Sequence, residues 1–263
     1  MHQFQFFSPG VAITLRAAIA IIAAAVGGGL GIIGRKVSHR VLCALVSLAA
    51  GALLGVALVD IVPETIEILG VMRAIFYLAS GFAVFWLVGR YVYFLCPACA
   101  ASASEHDTGY LRLGALLIVS MSIHSTVDGL AISASYARGV ESISLLVLVA
   151  VAYHKVPEGL ALVSLARLAG YGRVKALLLT ILVELTTALG AAIGLLMVPG
   201  VNNMLIGATL GFVAGTFLYT VGFALLKEMF VHEKGSIIFY VILGFASIVL
   251  LGFLFSRSGI HVH

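Results

Sequence analysis

The sequence predicts an all-α integral membrane protein of eight transmembrane helices containing an inverted repeat. Three observations carry this expectation. Of the 263 residues, 62% are hydrophobic and only 10% are charged, whereas a soluble domain carries about 25% charged residues; a soluble fold of this length could not hide so much apolar surface. The apolar residues fall into eight runs at about 11–34, 41–66, 74–95, 111–136, 143–166, 174–198, 203–226 and 237–255, each near the roughly 20 residues a helix needs to cross a bilayer. A His-x-x-x-carboxylate pattern occurs in the fourth run and again, thirty residues on, in the fifth.

The first run is too long for the apolar core of a cleaved signal, and Met1 to Gly10 lack a basic start, so it reads as a true span. Its Gly29-Leu30-Gly31-Ile32-Ile33-Gly34 formally fits the dinucleotide fingerprint, but no strand precedes it, and helix packing is the reading. The second run carries Asp60-Ile61-Val62-Pro63-Glu64 near its end. The third closes at Cys96-Pro97-Ala98-Cys99, with Glu105-His106-Asp107 following. These residues offer soft and imidazole ligands in a short loop, with a redox CxxC and a plain juxtamembrane loop as the other readings. With Cys43 the chain has three cysteines, too few for a disulfide framework. The sixth run holds Glu184. Lys227 and Glu228 close the seventh, where Glu228 is a candidate to line an exit. Gly51/Gly55, Gly190/Gly194 and Gly207/Gly211/Gly215 repeat at the small-xxx-small spacing that lets helices approach closely in lipid. All runs are too long for barrel strands, and they form one transmembrane domain over 1–263.

Loop charge sets the orientation. Arg35, Lys36, Arg40, Arg90, Arg112, Arg167, Arg173, Lys175, Lys227 and Lys234 fall on one side, and only Arg16, Arg73, Arg138 and Arg257 on the other. The richer side is expected in the cytoplasm, with both termini outside it. The net charge of +4 is then loop asymmetry, with no nucleic-acid partner implied.

Ionisable groups near the bilayer centre cost roughly 2.5–3.5 kcal/mol each on insertion scales, so those present need partners and a protein interior. His124-Ser125-Thr126-Val127-Asp128-Gly129-Leu130-Ala131 in the fourth run matches His154-Lys155-Val156-Pro157-Glu158-Gly159-Leu160-Ala161 in the fifth. A spacing of four sets each His and carboxylate on one helix face, about 6 Å apart along the axis. Antiparallel packing then levels His124 with Glu158 and Asp128 with His154, an inverted repeat of the kind that holds transporter substrate sites. Imidazole with carboxylate, lacking thiolate, suits Zn2+, Fe2+ or Mn2+ held loosely enough to leave. Pro157 removes an N–H and frees the Tyr153 carbonyl beside this cluster. A structural salt-bridge cluster is the bland alternative.

At these residues the chain resembles the ZRT/IRT-like protein (ZIP) family of metal transporters. His124-Ser-Thr-Val-Asp128-Gly129 and His154-Lys-Val-Pro157-Glu158-Gly159 resemble its fourth- and fifth-span motifs, Asp60-Ile-Val-Pro63-Glu64 its second-span pattern, and Ala214 to Tyr219 its seventh-span A-G-T-F-L-Y. The resemblance implies a ZIP-like bundle of eight helices. It implies transport of a divalent cation, zinc first and Fe2+, Mn2+ or Cd2+ as alternatives, into the cytoplasm. His124, Asp128, His154 and Glu158 look like the metal ligands. Ser125, Lys155 and Glu184 stand at a second site or serve as charge partners, Asp60 and Glu64 line the way in, and Cys96, Cys99, His106 and Glu228 are exit candidates. Ser125, Asp128 and Lys155 depart from the family's commoner residues. Lys155 is expected to substitute for a second metal by pairing with Glu184, Glu158 or Asp128, against the alternative of a lysine snorkelling to water. The resemblance also implies that spans one, four, five and six move against the other four. An enzyme is not expected, nor a cofactor; metal is cargo. A membrane-embedded zinc hydrolase using the same ligands is the alternative function, weakened by the lack of HExxH, and a metal sensor without flux is a third. Partners are the metal ion, the lipid bilayer and, as an option, a second copy in a homodimer. The plasma (inner) membrane is the expected location.

Overall fold

A computed structural model of the chain describes residues 8–33, 39–91, 110–168, 170–197, 203–222 and 234–257. The described residues are helical throughout, with no strand among them, joined by short turns. Helix α1 is Pro9–Ile33 and α2 is His39–Gly55, which runs through a π-helical stretch, Val56–Ile61, into α3, Val62–Leu69. Then come α4, Val71–Tyr91; α5, Tyr110–Ala137; α6, Glu141–Leu168; α7, Arg173–Glu184; α8, Thr186–Met197; α9, Asn203–Tyr219; and α10, Lys234–Arg257. Seven described segments are long and apolar enough to cross a membrane, α2–α3 and α7–α8 each counting as one. Helix α5 is not among the seven, but at 28 residues it has more than the length a crossing requires.

Two spans are irregular where the sequence suggests smooth helices. In the second, Pro63 lacks the N–H that an α-helix would aim at Val59, and the Val62 N–H reaches Ala57 instead. This wide turn carries Asp60; such π-turns are often found at functional sites. In the sixth, the helix breaks at Leu185. The Thr186 hydroxyl lies 2.7 Å from the Val183 carbonyl and 2.9 Å from that of Ser122, and such side-chain bonding competes with the helical ladder. Helix α6 accommodates Pro157 without a break. Between α5 and α6, Gly139 has φ +80°, which a residue with a Cβ adopts only at a cost, and so allows a turn of three residues.

Glycines sort the spans into two sets. A methyl group on Gly27 would overlap the Val156 carbonyl, and one on Gly159 the Ala24 carbonyl, joining α1 to α6 backbone to backbone. Gly129 and Gly190 do the same between α5 and α8 through Thr187 and Thr126. In the other set, Gly51 and Gly244 join α2 to α10, and Gly81 and Gly215 join α4 to α9. Helices α1 and α5–α8 form one body, since α1 also packs on α7 and α8 and α5 on α6, and α2–α4, α9 and α10 form another, α3 packing on both α4 and α9. Between the bodies lies a core of side chains that includes Leu53, Val56 and Ala57 from one and Val147, Ala150 and Val151 from the other. Large apolar side chains such as Met72, Phe76, Ile242 and Phe253 stay exposed on the outside, as a lipid-facing surface requires.

Gly27→Ala should lower the melting temperature of the detergent-purified protein, since overpacking costs about 1–3 kcal/mol. Gly29→Ala, on the same helix but meeting nothing within 4 Å, should leave it unchanged or slightly raised. Equal losses at both positions would refute the backbone contact.

Candidate metal centre

The fourth and fifth spans pack as neighbours and bring their repeated motifs together. His124, Ser125 and Asp128 come from α5, and His154, Lys155 and Glu158 from α6. Glu184 is the last residue of α7, where the sixth span breaks. All seven are buried. Donor atoms of His124, Asp128, His154 and Glu158 lie within 4.8 Å of one another.

The pairing follows the antiparallel register. His154 Nε2 is 3.0 Å from Asp128 Oδ2, His124 Nε2 is 3.7 Å from the same oxygen, and His154 Nε2 is 3.9 Å from Glu158 Oε2. The two imidazole rings stand 5.4 Å apart. His154 Nδ1 is 3.0 Å from the Ala150 carbonyl, an oxygen that only accepts, so Nδ1 carries a proton and Nε2 faces the cluster. Nε2 and the carboxylate oxygen opposite it then need a cation between them, a proton or a metal ion. His124 Nδ1, Asp128 Oδ1 and Glu184 Oε1 are buried without a hydrogen-bond partner, a costly state that suits a donor set built for an ion. Phe217 of α9 closes one side, its ring 6.5 Å from that of His154.

Lys155 is wholly buried, so it does not snorkel. Its Nζ is 2.9 Å from Asp128 Oδ2, 2.9 Å from Glu158 Oε2 and 2.8 Å from Glu184 Oε2, and it donates to Ser125 Oγ at 2.6 Å. Ser125 in turn lies 3.3 Å from Glu184 Oε2. All three carboxylates that the sequence offers as alternative partners are engaged at once. Were all three carboxylates ionised, they and one ammonium would carry two negative charges between them, matching the two positive charges of a divalent cation.

Toward the opposite end of the spans from Arg167, Glu64 of α3 is buried and paired with Arg138 in the α5–α6 turn, and Arg138 also reaches Glu67 at 3.6 Å. The spacing of the sequence gives no hint of this partner, which stands seventy-four residues away. Asp60 is half-buried on the π-helical stretch one turn before Glu64. Cys96, Cys99, His106 and Glu228 lie outside the described residues.

The family profile described as ZIP Zinc transporter matches residues 99–252, which include both repeated motifs and Glu184. A Methanocaldococcus jannaschii protein carried as "Uncharacterized protein MJ1036" is 26% identical over 200 residues, covering 76% of this chain and 79% of its own.

Lys155→Met would leave three carboxylates facing one another without their cation. Removing one partner of a buried ionic cluster costs about 3–5 kcal/mol, so the variant should melt well below the unaltered protein, and an added divalent cation should restore part of the loss. A melting temperature unchanged by Lys155→Met would remove the cluster from any part in stability.

Proposed function

The chain belongs to the ZIP zinc transporter family, and from that premise we propose that it carries zinc through the bilayer into the cytoplasm. The family moves divalent metal cations, and a multi-pass membrane protein with a buried His/carboxylate cluster accords with that activity. The observation that carries the reading is the convergence of His124, Asp128, His154 and Glu158, with donor atoms within 4.8 Å of one another, in the middle of two long apolar helices. Imidazole nitrogen and carboxylate oxygen suit zinc, and the absence of thiolate keeps binding weak enough for release.

In this reading one eight-span domain covers the chain, with α5 its fourth span in addition to the seven above, and both termini lie outside the cytoplasm of a cell bounded by the plasma (inner) membrane. Asp60 and Glu64 form the way in. His124, Asp128, His154 and Glu158 strip the ion of water and hold it. The loop residues Cys96, Cys99 and His106, with Glu228, receive it at the cytoplasmic end. The ligands all belong to the glycine-joined body of spans one, four, five and six, so the ion travels with that body as it shifts against the other. No nucleotide or cofactor enters the scheme; zinc is cargo.

Lys155 acts as a tethered second cation. Its ammonium fills the place beside the ion that a second metal would take, and a lysine offers a metal no lone pair while protonated. With one divalent ion bound, the charge of the three carboxylates is balanced.

Proteoliposomes holding the purified protein should take up zinc down its gradient. His154→Ala and Asp128→Ala should each lower the rate at least about tenfold with normal insertion, since both remove a ligand and leave a buried charge or dipole unpaired. Undiminished uptake in both variants would remove the site. Calorimetric titration should find one zinc ion per chain, rising to two in Lys155→Asp. Two ions in the unaltered chain would contradict the role given to Lys155.

A further inference from the structure

The bond between Arg138 and Glu64 differs in kind from the other ion pairs around the site. Lys155 and its carboxylates lie within the body of spans one, four, five and six. So does the pair formed by Arg16 of α1 and Glu141 at the start of α6, 2.5 Å apart, with the Arg16 guanidinium also 4.6 Å above the Tyr136 ring. Arg138 belongs to that body as well, but Glu64 and Glu67 sit on α3, in the other one. The turn between α5 and α6 therefore has a grip on each side. Glu141 fastens it to α1 of its own body, and Arg138, three residues earlier, fastens it to the opposite body.

Burial strengthens the second grip. The Glu64 side chain is only 8% exposed and that of Arg138 26% exposed, so the pair is shielded from salt and water far more than a surface bridge. Glu64 is also held firmly. It lies in the first turn of α3 just after Pro63, and Gly211 of α9 abuts its neighbour Thr65. Arg138 in turn follows directly on the helix that carries Asp128, ten residues earlier. Between them lies Ala131, fully buried in the side-chain core shared by the two bodies.

We infer that Arg138 and Glu64 form a latch between the two bodies at the outer end of the molecule, which is closed in this structure and must open for the site to meet the outside. The inference rests on the transport reading for its purpose, because only a relative shift of the bodies gives a latch something to hold. Its geometry needs no metal. While the guanidinium holds Glu64, that carboxylate is engaged and the side-chain core around Ala131 stays shut toward that end. Breaking the pair frees the carboxylate and leaves, among the described residues, the longer and more exposed contact of Arg138 with Glu67 at 3.6 Å as the charged link between α3 and the α5–α6 turn. A guanidinium fork suits such a latch, since it holds a carboxylate in a defined direction and remains charged throughout the cycle.

The test is cysteine accessibility in the full-length protein in detergent, with Cys43, Cys96 and Cys99 changed to serine and Ala131→Cys as reporter. The probe is a charged methanethiosulfonate reagent. Arg138→Gln and Glu64→Gln should each raise its rate of reaction at least about fivefold. Arg16→Gln, which breaks a pair inside one body, should not. The exchanged pair Glu64→Arg with Arg138→Glu should return the rate toward that of the parent, an effect that general unfolding would not produce. Equal rates in the parent and in both single variants would overturn the latch, as would a raised rate that the exchanged pair fails to lower. Zinc uptake by the parent protein is measured separately: a parent that moves no zinc defeats the transport reading, whereas a parent that moves zinc with an unresponsive reporter defeats the latch alone.

Discussion

Three carboxylates and one ammonium share one buried volume between packed helices, and each is tolerable there because of the others. Lys155 lies within 2.9 Å of Asp128, Glu158 and Glu184. Taken singly, each of these groups carries a heavy desolvation penalty. Together they form a nearly closed electrostatic unit that still holds an excess of negative charge. On the transport proposed above, that excess attracts a divalent ion, and the same ammonium limits how many ions the cluster accepts. Most other features serve to hold these groups together: the register of α5 against α6, the break at Leu185 that ends α7 on Glu184, and the placement of Ser125 between lysine and carboxylate.

The glycine contacts would keep such a unit intact through the relative shift of the two bodies that the transport proposal requires. Where backbones touch, as at Gly27 against Val156 or Gly190 against Thr126, helices have little room to slide. Where the bodies meet through branched and small side chains, as around Val56 and Val151, the surfaces are smoother. Stiffness and freedom are thus distributed by the sequence position of a residue lacking a Cβ. The charged cluster sits entirely within one of the glycine-joined bodies, so the displacement proposed above would leave its distances unchanged.

Much of this was legible in the chain itself, because lipid imposes simple rules. Apolar run length marks the spans, and the spacing of His124 to Asp128 and of His154 to Glu158 puts their side chains on single faces that meet when the helices run opposite ways. The position of Lys155 beside His154 favours pairing with the carboxylates but leaves snorkelling open, and its complete burial decides between the two. Other features were not legible. Pro63 signals some departure from an α-helix but does not say that a π-turn will absorb it. The break at Leu185 goes with the single hydroxyl of Thr186 lying within reach of carbonyls on two helices. Arg138 and Glu64 are distant in sequence, and each alone looks like an ordinary helix-end charge. Their meeting is a property of how the two bodies dock, which no local pattern records.

The bond from His154 Nδ1 to the Ala150 carbonyl has a kinetic consequence. The ring is pinned to its own helix, so it cannot turn over to present carbon where nitrogen is needed. A ligand fixed in advance loses little entropy on capturing its guest and regains little on letting go. In the transport proposed above, residence time in the cluster would be governed by charge and by access to water, and turnover by how fast the protein walls move, with little waiting for a side chain to find its rotamer.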